Sequence, residues 1–134
     1  MKAITQPLKK AVKKFFQSTF PSKVPPVLVA SMGRSGSTLI YHALAEAMFK
    51  HRFGIENKHL ARLVRCDLYD VEGANFKNGV VYKTHCFPTE IPANENLKVI
   101  FTFGSASAAA ISVMACDQRY GRQWTLQQMV PMRA

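Results

Sequence analysis

Acidic residues are scarce in this chain. Eight Asp and Glu stand against eighteen Lys and Arg, a formal net charge of +10 over 134 residues. The imbalance is partly local: residues 1–23 hold six lysines and no acid, which leaves the rest of the chain with a surplus of only +4. A mildly cationic body suits an anionic ligand, but no aromatic–basic alternation or nucleic-acid motif accompanies it, so no nucleic-acid partner is expected. Cysteine is nearly missing too. Cys66, Cys86 and Cys116 are odd in number and far apart, without a CxxC or Cys/His spacing. That pattern excludes the usual zinc and disulfide frameworks; no metal site is expected, and a reducing, cytoplasmic setting is. No run approaches the ~20 apolar residues that span a bilayer, and no signal-peptide core is present. Internal repeats and low-complexity linkers are absent as well.

What is present is enough apolar material, 48% of residues, for one genuine core. The expected organisation is a basic amphipathic arm over residues 1–23 and a single domain over 24–134. In the arm, Ile4, Leu8, Val12, Phe15/Phe16 and Phe20 recur at helical spacing while Lys9, Lys10, Lys13 and Lys14 fall largely on other faces. One reading is a helix packed on the domain with solvated lysines; the other is weak peripheral membrane contact through residues 1–20, or an anionic partner. The first is the commoner outcome, because charge runs usually mark solvated faces. Pro21, Pro25 and Pro26 end the arm.

Three near-continuous apolar runs read as strands, at 27–31, 79–84 and 97–103. Helices are expected from about Ser37 to Arg52 (apolar face Leu39, Ile40, Leu44, Met48), from about Ser107 to Cys116, and from Trp124 onward to Met132; Lys58–Leu68 reads as a short helix. Apolar strands alternating with helices predict an α/β domain, three α/β/α layers with a parallel sheet covered on both faces. In such sheets ligands bind at the carboxyl ends of the strands, where three polar clusters fall.

The first cluster is Gly33-Arg34-Ser35-Gly36-Ser37-Thr38, directly after the first strand. A Gly-rich turn entering a helix aims backbone N–H groups and the positive helix end at one phosphate-sized volume. The glycines permit close approach, Ser35, Ser37 and Thr38 add hydroxyls, and Arg34 adds a charged fork. It is not a Walker A, since the glycines are three apart and no lysine precedes Ser37-Thr38; no acid ends any of the three predicted strands either, which disfavours an NTPase or nucleotide kinase. By itself, the turn would be an ordinary βα connection. The second cluster, Tyr82-Lys83-Thr84-His85-Cys86-Phe87-Pro88, puts a lysine and a histidine two apart, on one side of a strand end. Histidine suits proton transfer near neutrality, and lysine stabilises charge on a transferred anionic group. His42, His51 and His59, in or near helices, read as structural or surface residues. The third cluster runs from Gly104 to Ser112.

Together these residues resemble the sulfotransferases that use 3′-phosphoadenosine-5′-phosphosulfate. Gly33–Thr38 is similar to the loop that holds the 5′-phosphosulfate, in the Arg/Ser-Thr form of carbohydrate and tyrosylprotein sulfotransferases. Val81–Pro88 is similar to the K-T-H-x-P-type segment of cytosolic members, with one extra residue before the proline, and Lys98–Ser112 to the strand and helix that hold the 3′-phosphate. The resemblance covers residues 27–130 or so, in the family's order. It implies a P-loop-like fold, no metal, and sulfuryl transfer to a hydroxyl or amine acceptor. By resemblance, the amides of Arg34–Thr38 with the Ser35, Ser37 and Thr38 hydroxyls cradle the 5′-phosphate beside Gly33 and Gly36. Arg34 and Lys83 meet the sulfuryl group, His85 is the general base, and Ser112 reaches the 3′-phosphate.

Two departures qualify this. Where the family places an arginine eight residues before the serine, this chain has Gly104 in an uncharged stretch, leaving Arg119, Arg122 or the Gly104-Ser105 amides to replace it. The match also covers only the N-terminal half of such enzymes, as expected of a truncated member, in which an exposed sheet edge favours a homo-oligomer or a small partner. The alternative is a catalytically weak or inactive remnant that binds the nucleotide or sulfate without turnover.

Overall fold

The computed structural model describes residues 2–31 and 35–121. Its central strand is β1, Val27–Ser31, an apolar run whose last four residues are buried. Three further strands run parallel to it: β2 (Arg65–Asp67), β3 (Val81–Thr84) and β4 (Lys98–Thr102), in the spatial order β2-β3-β1-β4. β1 therefore takes neighbours on both sides, Val27 opposite Val81 and Lys98, Val29 opposite Lys83 and Ile100. The sheet has one strand more than the sequence predicts. Arg65-Cys66-Asp67 has no apolar run to announce it and becomes a strand through pairing with β3. The helix expected over 58–68 is instead a 3-10 helix, Leu60–Val64, followed by β2. β3 starts two residues later than expected, because Gly79 turns the chain at φ 72° and donates its N–H to the Val24 carbonyl at 2.7 Å.

Successive strand residues face opposite sides, so the sheet has two chemical surfaces. On one, Val27, Val29 and Val81 pack under α2, Ser37–Phe53. The buried face of α2 is Tyr41, Ala45, Met48 and Phe49, at helical spacing. This differs from the expected face: Leu39 is 77% exposed, Ile40 and Leu44 lie at the margin, and of the four predicted residues only Met48 is buried. Gly54 ends α2 in the left-handed conformation, its N–H bonded to the Lys50 carbonyl. The opposite surface, Leu28, Val80 and Tyr82, is covered by Leu97 and by loop residues Val71, Phe76 and Ile91. A helix was expected there; among the described residues, loops do the covering. α3, Ala106–Tyr120, begins one residue before its predicted start and leaves Ile111 and Met114 exposed. The helix expected at Trp124–Met132 lies outside the described residues.

The arm is a helix as predicted, α1, Lys2–Thr19, and its C-terminal half docks on the domain. Phe16 packs against Phe20 and Phe53 at centroid distances of 5.0 and 5.3 Å. Gln17 donates to the Leu63 carbonyl at 3.1 Å. Arg52 clamps the turn that follows, donating to the Gly79 carbonyl at 2.8 Å and to the Phe20 carbonyl. Toward the N-terminus, Leu8, Val12 and Phe15 remain exposed.

Candidate functional site

The connection from β1 to α2 is the first part of the site. Gly33 and Arg34, both predicted to contribute, lie outside the described residues. Gly36 caps α2 at φ 78°, a conformation that costs other L-residues about 1–2 kcal/mol, and as a glycine it contributes no side-chain cap. A helix start leaves its first N–H groups without intrahelical acceptors, and no acid lies in the first turn of α2 to neutralise the positive end. Ser37 is buried and Thr38 exposed. The Ser35 hydroxyl lies 2.9 Å from the hydroxyl of Thr102 at the end of β4, which ties the loop to the neighbouring strand. The arrangement is suited to an anion.

The second part comes from strand parity. Residues 27, 29 and 31 of β1 and 81, 83 and 85 along β3 fall on the α2 side of the sheet. At the buried end of this row Val27 stands opposite Val81; the row then continues with Val29 and Lys83. At the carboxyl end it finishes with Ser31 and His85, the Ser31 hydroxyl 3.1 Å from His85 Nδ1. Lys83 reaches up to α2, its Nζ donating to Thr38 Oγ1 at 2.8 Å. The two predicted clusters, 45 residues apart in the chain, are thus joined by a direct hydrogen bond.

His85 is half-buried, and its electrostatics follow from its neighbours. Burial, and then the Lys83 ammonium, hold its pKa below the ordinary histidine value, against a smaller opposing contribution from its backbone bond to Ser31. Nδ1 is also 3.4 Å from the Ser31 carbonyl oxygen, which can only accept. Both contacts are satisfied together when Nδ1 carries the proton, and that tautomer leaves Nε2 as the basic nitrogen.

Gly36, Ser37, Thr38, Leu39, Lys83, His85 and Ser112 line one cleft of about 360 Å³. Of the described residues expected to cradle the 5′-phosphate, only Ser35 is not in its wall; it is the neighbour held by Thr102. Gly104 is exposed, with no atom within 4 Å of where a Cβ would stand.

Several contributors were not read from the sequence. Tyr41 is buried, and its pKa is raised by burial first and by the Asp67 charge second. The Arg65 guanidinium and the Lys83 ammonium lie 5.7 and 6.0 Å from its ring centroid. Asp67 is also the register partner of Lys83. Tyr41 thus stands between the Arg65 and Lys83 cations, with Asp67 beside Lys83 on the neighbouring strand. Ser31 and Thr102 could have been found from their place as the last polar residues of two predicted strands; Arg65 and Asp67 had no such signal, because β2 was invisible. His42, His51 and His59 are exposed, as surface residues should be. No protein-family model, curated protein or solved structure matches the chain.

Proposed function

We propose that the chain binds an adenosine phosphosulfate of the 3′-phosphoadenosine type and transfers its sulfuryl group to a hydroxyl or amine acceptor. The observation that carries this is the Lys83–Thr38 hydrogen bond, which sets a cation against the start of α2 with His85 in the same cleft. An anion there meets backbone N–H donors on one side and an ammonium on the other, and charge-assisted bonds of this kind are the strong ones. The glycine cap at Gly36 offers no side chain to stand in the way.

In this reading the donor is a substrate whose 5′-phosphosulfate lies over the first turn of α2. The acceptor oxygen or nitrogen attacks sulfur in line as the bond from sulfur to the bridging phosphate oxygen breaks. His85 Nε2 takes the acceptor's proton, and adenosine 3′,5′-bisphosphate leaves with the electron pair of the broken bond. Lys83 offsets the charge that grows on the bridging oxygen, so its contribution is larger in the transition state than in the ground state. Burial keeps His85 neutral near pH 7, the form a base needs. Exposed Leu39 on the cleft wall gives the acceptor an apolar contact.

The test is calorimetric titration with adenosine 3′,5′-bisphosphate, followed by turnover of the phosphosulfate with a panel of hydroxyl and amine acceptors. Saturable binding that weakens in Lys83→Ala, with turnover lost in His85→Ala, supports the reading. Binding without turnover on any acceptor removes the transferase step and leaves a nucleotide-binding protein. No binding by the wild type rejects both.

A further inference from the structure

The free half of α1 is a second surface with its own chemistry. Leu8, Val12 and Phe15 are 63%, 50% and 69% exposed. At about 100° per residue they fall within one narrow arc of the helix. The residues that bind α1 to the body, Phe16 and Gln17, point elsewhere, and Lys13 is partly buried on that same inward side beside Asp67 and Cys66. Lys9 lies on one flank of the apolar arc and Lys14 on the other, while Lys10 falls on the far side of the helix. No acid occurs anywhere in residues 1–23.

An apolar stripe bordered by lysines on both flanks is the pattern of a helix lying in a bilayer interface, the apolar side chains at the acyl boundary and the ammonium groups among the headgroups. Charge decides between the candidate occupants. A second copy of the helix would bring lysines against lysines, whereas an anionic lipid surface supplies charge opposite to both flanks along the whole length. Attachment is also one-sided and firm. Arg52 bonds the Phe20 and Gly79 carbonyls and Phe16 packs on Phe53, so the stripe is displayed on the outside instead of folding back. Among the described residues no helix is long and apolar enough to cross a membrane, so contact through α1 would be contact with one leaflet.

We infer that α1 is an interfacial anchor which seats the domain on anionic lipid surfaces through Leu8, Val12 and Phe15, with Lys9 and Lys14 on the headgroups. The test is co-sedimentation of the full chain with phosphatidylcholine vesicles, with and without phosphatidylserine. Binding should appear with phosphatidylserine, weaken as salt rises, and fall roughly fivefold for each flanking lysine removed, hence about 25-fold in Lys9→Gln/Lys14→Gln. Leu8→Ser/Phe15→Ser should abolish it while leaving the thermal transition unchanged, since both side chains are already exposed. Lys13→Gln, on the inward side, should bind as the wild type does. Equal sedimentation with and without phosphatidylserine overturns the proposal, as does binding that survives loss of the apolar pair. A dimer by sedimentation equilibrium that the apolar pair dissolves also overturns it, by making a second copy the occupant.

Discussion

Gly79 and Gly54 form a matched pair from which the packing of the arm can be weighed. Both sit in the left-handed region, at φ 72° and 69°. An alanine at either position meets the same backbone penalty, about 1–2 kcal/mol, and the same partial offset of about 0.4–1 kcal/mol from a stiffer unfolded chain. These contributions cancel when the two variants are compared. Surroundings do not cancel. A Cβ at Gly54 meets nothing within 4 Å, whereas at Gly79 it would stand 2.5 Å from Ser22 Cβ and 2.9 Å from Arg52 Cζ. Ser22 Cβ is fixed to its backbone and cannot swing away, so the turn after α1 must shift and the Arg52 clamp with it. Overpacking of this kind costs about 1–3 kcal/mol. Urea unfolding should therefore show Gly79→Ala less stable than Gly54→Ala by about that amount, with the arm's protease sensitivity raised only in Gly79→Ala. Equal midpoints for the two variants would refute the close approach between the arm and β3.

Other predictions concern the cleft. Lys83→Ala should weaken adenosine 3′,5′-bisphosphate binding by roughly ten- to a hundredfold, the loss of one charge-assisted bond of ~1.5–3 kcal/mol, read by calorimetry. His85 should titrate by NMR below the ordinary histidine value, and Lys83→Met should move it upward, because that variant removes a cation which lowers it. Since the fold disfavours protonated His85, the unfolded chain takes the proton first, and stability should fall as pH drops through the ordinary histidine range. Gly104→Arg has room for its side chain; if the 3′-phosphate lies where the resemblance implies, it should tighten binding of adenosine 3′,5′-bisphosphate by roughly ten- to a hundredfold and leave adenosine 5′-phosphate unchanged.

The legible parts of the fold were those built on continuous apolar sequence. Val27–Ser31, Val81–Thr84 and Lys98–Thr102 were found within a residue or two because their side chains announce them. β2 was not, since its strand state belongs to the pairing with β3 and not to Arg65-Cys66-Asp67. Periodicity showed that α1 and α2 each have an apolar face but not what the face meets. In α2 the buried set turned out to centre on Tyr41 and Ala45, with Leu39 in the cleft wall. In α1 the apolar period divides between an inward Phe16 and an outward Leu8, Val12 and Phe15. Lys83 and His85 were legible as a pair from strand parity alone. Their alignment with Thr38 and Ser31 depends on the β1–β3 register, which no local pattern encodes.

The two bonds that close the cleft join residues 45 and 54 positions apart, Lys83 to Thr38 and His85 to Ser31. Neither can form until β3 has docked against β1 and the intervening chain, including the 3-10 turn and β2, has been laid beyond it. Both bonds therefore depend on the β1–β3 pairing, and a ligand held by the finished cleft stabilises that pairing. A ligand held only by the finished cleft, at a hundred times its dissociation constant, would add about 2.7 kcal/mol to the stability of the entire β1–β3 unit.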